Sequence, residues 1–159
     1  MYMLTVKHYK RPIACISIEG DKVRMTPGLF AKFSKPLSEK NVNIYAVSNG
    51  EYSFSFFVDE AETETVTLAI SELVAKSAFE GMSIRRNVGM LTVTGSEFVN
   101  SPGMFKKILD PIAKEKINVL QITSSYNSMI LFFDYKDSEK AFAILNKAIP
   151  EKILKKKKR

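Results

Sequence analysis

Few residues in this chain have the type and spacing to do chemistry. One histidine, His8, and one cysteine, Cys15, lie among unrelated neighbours, with no acid or nucleophile placed to join them. A general base needs a positioned partner and a metal needs several ligands, so neither residue makes a catalytic or metal centre. No phosphate-cradling loop is expected, because "NVGM" and "SPGM" lack both the glycine spacing and the lysine. What remains is binding chemistry. "TPGLF" at Thr26 to Phe30 returns as "SPGMF" at Ser101 to Phe105, 75 residues later. Ser or Thr before Pro-Gly signals a helix start, where unpaired N–H groups and the positive dipole end suit a carboxylate. Pro27 has no N–H, but Gly28, Leu29 and Phe30 do, and Gly28 lets a ligand approach the backbone; Gly103, Met104 and Phe105 repeat the arrangement. The same residues also serve as ordinary helix caps and turn glycines.

The elements that must position these loops repeat with them. Residues 13–59 lie over 88–134 without a gap, pairing Gly20 with Gly95, Pro36 with Pro111, Asn43 with Asn118 and Asp59 with Asp134. Ala14, Ile16 and Ile18 alternate with Cys15, Ser17 and Glu19, which predicts a strand ending at a glycine turn. Leu29, Phe30, Phe33 and Leu37, and in the second copy Met104, Phe105, Ile108 and Ile112, fall at helical spacing. Thr26 and Ser101 are the expected N-caps, with Pro at the first helical position. Pro36 and Pro111 fall inside these helices, where a shared kink is expected. Strands follow at Val42–Val47 and Tyr52–Val58, and at Ile117–Ile122 and Ser128–Phe133, around the turns "SNGE" and "TSSYN". A second amphipathic helix uses Val66, Ala69, Ile70, Leu73 and Val74, then Ala141, Phe142, Leu145 and Ile149.

Each copy is therefore βαββα. The first gains a fourth strand at Met82–Arg86, while the second ends in "PEKILKKKKR" and has none. "MLTVKH" at Met3–His8 precedes the first copy, reads as a strand and has no role there. The economical reading is α+β: two ferredoxin-like βαββαβ domains in tandem, the N-terminal strand completing the second. The expected domains are 12–87, then 3–9 with 88–149, followed by a basic, disordered tail over 150–159.

Composition agrees with a folded chain, at 45% apolar and 26% charged residues. The net charge of +7 owes +5 to the closing "KKKKR", so the body is nearly neutral. A single cysteine in the apolar run "IACISI" excludes an internal disulfide and fits a buried thiol in a reducing, cytoplasmic setting. Apolar runs such as "MILFF" are too short to span a bilayer. A βαββαβ sheet also binds RNA, and Tyr52, Phe54 and Phe56 alternate on the third strand. The basic residue and glycine that open the RNA signature are replaced by Asn49-Gly50-Glu51, and the second copy has Met129 and Leu131, so nucleic acid is a minor alternative.

The strand ending in Gly, the Ser/Thr-Pro-Gly helix start, the Asn-Ile/Val of the second strand and the closing "Phe-Val/Phe-Asp" resemble the tandem ACT domains of the aspartokinase regulatory region. The likeness covers about residues 3–149. It implies chains paired through their ACT domains as a homodimer, a feedback amino acid (lysine, threonine or methionine-type) bound between them, and a kinase domain in cis or in trans. No cofactor is implied, and the chain itself is expected to be regulatory and not catalytic, either an excised region or a separate subunit; the alternative is a free-standing ACT-type small-molecule sensor or assembly subunit with no kinase domain. Carried over, the ligand residues are Thr26, Gly28, Leu29, Phe30, Ile44, Tyr45, Gly50 and Glu51 in the first copy. In the second they are Asn100, Ser101, Gly103, Met104, Val119, Leu120 and Ser125. Lysine-inhibited relatives carry an acid in the second strand and Ser-Glu in the next turn. Here those positions hold Tyr45 and Gly50-Glu51, then Leu120 and Ser125-Tyr126; an ammonium would take a carboxylate or a strand-end carbonyl, and Glu51 is the candidate in the first copy.

Overall fold

A computed structural model describes residues 4–77 and 79–149. It contains β1 (Leu4–Glu19), α1 (Lys22–Met25), α2 (Leu29–Glu39), β2 (Ile44–Asn49), β3 (Ser53–Asp59) and α3 (Thr63–Lys76). These are followed by β4 (Gly81–Gly95), α4 (Glu97–Asn100), α5 (Met104–Lys114), β5 (Gln121–Ser125), β6 (Ser128–Asp134) and α6 (Tyr135–Ala148). The chain divides into two units, the first spanning Arg11–Val88 and the second combining the residues up to Lys10 with those from Gly89 onward. Two long strands carry the chain between them. The N-terminal strand does not stop at His8 but continues as β1, and the strand expected to end at Arg86 continues as β4. At the second crossing Asn87 takes a left-handed φ of 55° just before Gly89, and β4 continues through it. The basic tail expected over 150–159 lies outside the described residues.

In the first unit the strand order is β2-β3-β1-β4, and in the second it is β1-β4-β6-β5, so the N-terminal strand does complete the second sheet. In the first unit β1 pairs antiparallel with β3, setting Ala14, Ile16 and Ile18 opposite Val58, Phe56 and Phe54. Because side chains alternate along a strand, all six share one face. All are fully buried, in a core with Leu29, Phe33 and Leu37 of α2 and Val66 and Ile70 of α3. Phe54 and Phe56 thus face the helices and cannot stack on a base, which removes the observation behind the RNA alternative. The second core repeats the scheme with Leu91, Val93, Ile108, Leu131, Phe133 and Leu145. Phe105 departs from its expected place inward and is 47% exposed. Its counterpart Phe30 rests edge-on against Phe54, 5.4 Å between ring centroids, whereas the second unit has Met129 at the position of Phe54 and offers no aromatic edge.

Other boundaries move for local reasons. β5 begins at Gln121, after Ile117 has been buried and Leu120 has donated its N–H to Phe132 O at 2.8 Å. Pro36 and Pro111 sit in the last turn of α2 and α5, so each helix continues for only three residues past its proline. Cys15 is half-buried, on the strand face opposite the core, and its thiol lies 3.7 Å from Ser17 Oγ. Burial pushes its pKa up, disfavouring the thiolate. No helix among the described residues is long and apolar enough to cross a membrane.

Candidate functional site

Each unit carries the same loop at the end of its first strand. Gly20 N–H donates to Tyr52 O at 2.8 Å, and Gly95 N–H donates to Asn127 O at 2.9 Å, tying that strand to the turn between the next two. A single helical turn follows, α1 or α4, anchored by Val23 in one core and Phe98 in the other. Four residues are too few to show a period, so these turns are not legible in the sequence. They displace the expected caps. Thr26 ends α1, its hydroxyl donating to Lys22 O at 2.7 Å, and Ser101 ends α4, its N–H donating to Glu97 O at 2.9 Å. The next helices begin two residues later than a Pro-first start would place them, with Gly28 and Gly103 as N-caps at φ 72° and 84°. Both values lie in the left-handed region that favours glycine.

The later start leaves both helix N-termini without a side chain over them. Neither α2 nor α5 receives a side-chain cap, and their ladders start only at Lys32 N–H to Gly28 O and Lys107 N–H to Gly103 O. The N–H groups of Leu29 and Phe30, and of Met104 and Phe105, precede the first intrahelical donor. A Cβ placed on Gly28 or Gly103 would meet no atom within 4 Å, so the space over both helix starts is open. Leu29 and Met104 bury their side chains in the cores, which fixes the helix ends beneath that space.

Around the loops the two copies differ. In the first, Glu51 is exposed beside the loop but already engaged, accepting from Arg24 Nη1 at 2.7 Å, while Arg24 Nη2 lies 3.5 Å from Asp21. Tyr52 donates to the Glu80 carboxylate across the same rim, and that bond raises the tyrosine pKa. Gly50 N–H closes the turn on Ser53 O at 2.7 Å. Ile44 and Tyr45 stand at the other end of β2, Ile44 opposite Val58, about 17 Å along the strand from Asn49 at roughly 3.3 Å per residue. Within one chain they do not join Thr26–Phe30 and Glu51.

In the second copy the loop borders an open hollow of about 460 Å³ whose lining includes Thr5, Thr94, Ser96, Asn100, Tyr126 and Asn127. All six are polar and uncharged. Of the expected second-copy residues only Asn100 lines it. Ser125 stays on the strand end, its hydroxyl 2.7 Å from Ser128 Oγ, and Val119 packs on the core beside Leu120. Thr5, Thr94, Ser96 and Asn127 escaped the sequence reading. Thr5 in particular reaches this place only through the displaced strand.

The remaining chemistry-bearing side chains are structural. Nε2 of His8 lies 3.1 Å from Ser138 Oγ, and Nδ1 lies 3.2 Å from Glu139 Oε2. Ser138 is buried and donates to Tyr135 O at 2.7 Å, so the His8–Ser138 contact fastens β1 to α6, while the buried His8 Nδ1 makes no hydrogen bond among the described residues. Burial and nearby Lys10 hold the imidazole below its ordinary pKa, against the opposing pull of Glu139. Among the described residues no group of three or more His, Cys, Asp or Glu could hold a metal.

Comparison with known proteins follows the same division of the chain. The ACT domain family matches residues 9–72 and 83–147. A bifunctional aspartokinase/homoserine dehydrogenase 1 of Zea mays is 26% identical over 128 residues, 75% of this chain and 14% of that protein. The chain therefore spans about a seventh of that relative's length. Among solved structures, the regulatory subunit of aspartate kinase from Thermus thermophilus superposes with a TM-score of 0.75 at 19% identity, covering 90% of this chain and 95% of that one. Aspartate kinase of Clostridium acetobutylicum gives 0.79 at 20% identity, over 92% of this chain and 34% of the other. With two repeats matched over most of its length, this chain belongs to the ACT domain family.

Proposed function

We propose that the chain is the regulatory region of an aspartokinase, binding a feedback amino acid of the aspartate family and performing no chemistry itself. The observation that carries this reading is the pair of uncapped helix starts at Gly28 and Gly103, each with open space above it. A ligand carboxylate would accept from the N–H groups of Leu29 and Phe30, or of Met104 and Phe105, and gain from the helix dipole. In the second copy the neutral lining at Thr94, Ser96 and Asn100 suits a small polar amino acid. In the first, Glu51 would take an ammonium only by giving up Arg24. Two copies paired through their ACT domains would enclose the ligand. An aspartokinase catalytic domain, in cis or in trans, would read the tightened pair as a coupling free energy of about 1–3 kcal/mol.

Isothermal titration of the full chain with lysine, threonine and methionine tests this. Saturable binding of one, lost in Gly28→Asn or Gly103→Asn, is expected, because asparagine tolerates positive φ while its side chain blocks the approach. Heat from none of the three, or binding that survives both variants, overturns it.

A further inference from the structure

The end of the first unit away from Gly28 carries a second arrangement of charge. β1 enters the unit at Arg11, β3 ends at Asp59, the turn into α3 brings Glu60, the first turn of α3 brings Glu64, and β4 passes Arg86. These five residues surround an open hollow of about 530 Å³. It lies roughly 20 Å from the Gly20 turn, six steps along the β1–β3 ladder from Ile13 to Glu19 at about 3.3 Å each.

Two of the carboxylates are engaged. Asp59 pairs with Arg11 at 3.0 Å and accepts Ala61 N–H at 3.1 Å, and Glu60 accepts Asn87 N–H at 2.5 Å. Glu64 and Arg86 are exposed, and neither makes an ion pair or side-chain hydrogen bond among the described residues. The repeat shows what this position does when it is satisfied. Glu64 and Glu139 are equivalent, 75 residues apart, each following a buried hydroxyl, Thr63 or Ser138. In the second unit the strand facing that carboxylate supplies Lys10, 2.9 Å from Glu139, and His8, and the Phe142 ring lies under the ammonium at 5.4 Å. The first unit has Thr67 where the second has Phe142, leaves the carboxylate without a cation and keeps a guanidinium on the same rim.

We propose that this hollow binds a small zwitterion of the α-amino-acid class, its ammonium at Glu64 and its carboxylate at Arg86. The lining carries two positive and three negative side chains, so a simple anion is disfavoured, and a simple cation would leave Arg86 unanswered. A ligand with both charges satisfies both groups. Such a site would be separate from the helix starts at Gly28 and Gly103 and would give the first unit a second small-molecule contact.

The test is an NMR titration of the full ¹⁵N-labelled chain with L-alanine, with acetate and ethylamine as probes of each half of the charge pair. Saturable shifts at the Ala61 and Asn87 amides are expected for L-alanine, with at least tenfold weaker response to either single-charge probe. Glu64→Gln and Arg86→Gln should each weaken the L-alanine response at least tenfold. Equal response to acetate or ethylamine, persistence in both variants, or shifts only at Gly28 and Gly103 would overturn the proposal; the last would still leave the effector reading standing.

Discussion

Gly89→Ala should destabilise the second unit although it adds one methyl group. Gly89 is buried on the face of β4 that packs α6, and a Cβ there would lie 2.4 Å from Ser138 Cβ, 2.8 Å from its Oγ and 3.3 Å from Tyr135 Cα. Carbon pairs settle near 3.5–4.0 Å, so α6 must retreat by roughly 1 Å. The obstacle is a helix backbone with a short side chain and cannot swing aside. Overpacking of this kind costs about 1–3 kcal/mol, against which the lost freedom of glycine in the unfolded chain returns about 0.4–1 kcal/mol. Retreat of α6 also lengthens the 3.1 Å contact between Ser138 and His8. The net expectation is a loss of roughly 1–2 kcal/mol. Urea unfolding should show the midpoint falling by about 1 M with an unchanged slope. In a Ser138→Gly background the same substitution should cost less, since the clashing Cβ is gone. The first unit shows why the effect belongs to this helix: it carries Ala14 at the equivalent strand position but opens α3 with a 3-10 turn at Glu60–Glu62, where α6 starts directly at Tyr135. A neutral or stabilising Gly89→Ala, or an equal cost in both backgrounds, would refute the close approach.

Other expectations follow from single groups. His8 has a folded pKa below its ordinary 6.5, so the unfolded chain takes up the proton first; its contribution to stability is full above pH 6.5 and declines as pH falls through the folded value. His8→Gln should remove that part of the acid sensitivity, read as the difference between the two stability-versus-pH curves. Lys116, the residue after the Glu115 C-cap of α5, has φ 57° and donates its N–H to Ala113 O at 3.0 Å. Lys116→Gly should raise the thermal midpoint, by about 1 kcal/mol in stability. The half-buried Cys15 thiol, its pKa raised by desolvation, should react with a disulfide reagent at pH 8 more slowly than free cysteine and recover the free rate in urea. Glu51→Gln should change stability by under about 1 kcal/mol, because the Arg24–Glu51 pair is exposed on both sides.

What the sequence made legible is what repeats or alternates. Ala14, Ile16 and Ile18 announced a strand with one buried face, and the gapless 75-residue register carried that reading onto the second copy. The N-terminal strand that had no role in the first copy pointed to the exchange that places residues 4–10 in the second sheet. What stayed hidden depends on partners far apart in sequence or on a single dihedral. Pro-Gly reads the same whether the helix starts at the proline or after the glycine, and only the left-handed φ of Gly28 and Gly103 decides it. Phe30 and Phe105 are identical in register, yet one is packed and the other exposed, because the neighbour that distinguishes them is Phe54 against Met129.

The same limit governs the candidate site. Glu51 could be named from its turn, but its engagement by Arg24 follows from the one-turn helix α1, which no periodicity betrays. Thr5 borders the second loop only because a strand has changed places. A repeated chain thus specifies its scaffold twice in its apolar positions, while each copy sets its own polar rim. That separation is what allows one scaffold to hold an engaged carboxylate at the first loop and a neutral hollow at the second. If the two loops do bind amino acids, they should therefore differ in ligand preference even though their helix starts are alike. Substituting Arg24 should alter only the first, whereas Asn100 and Ser96 should govern the second.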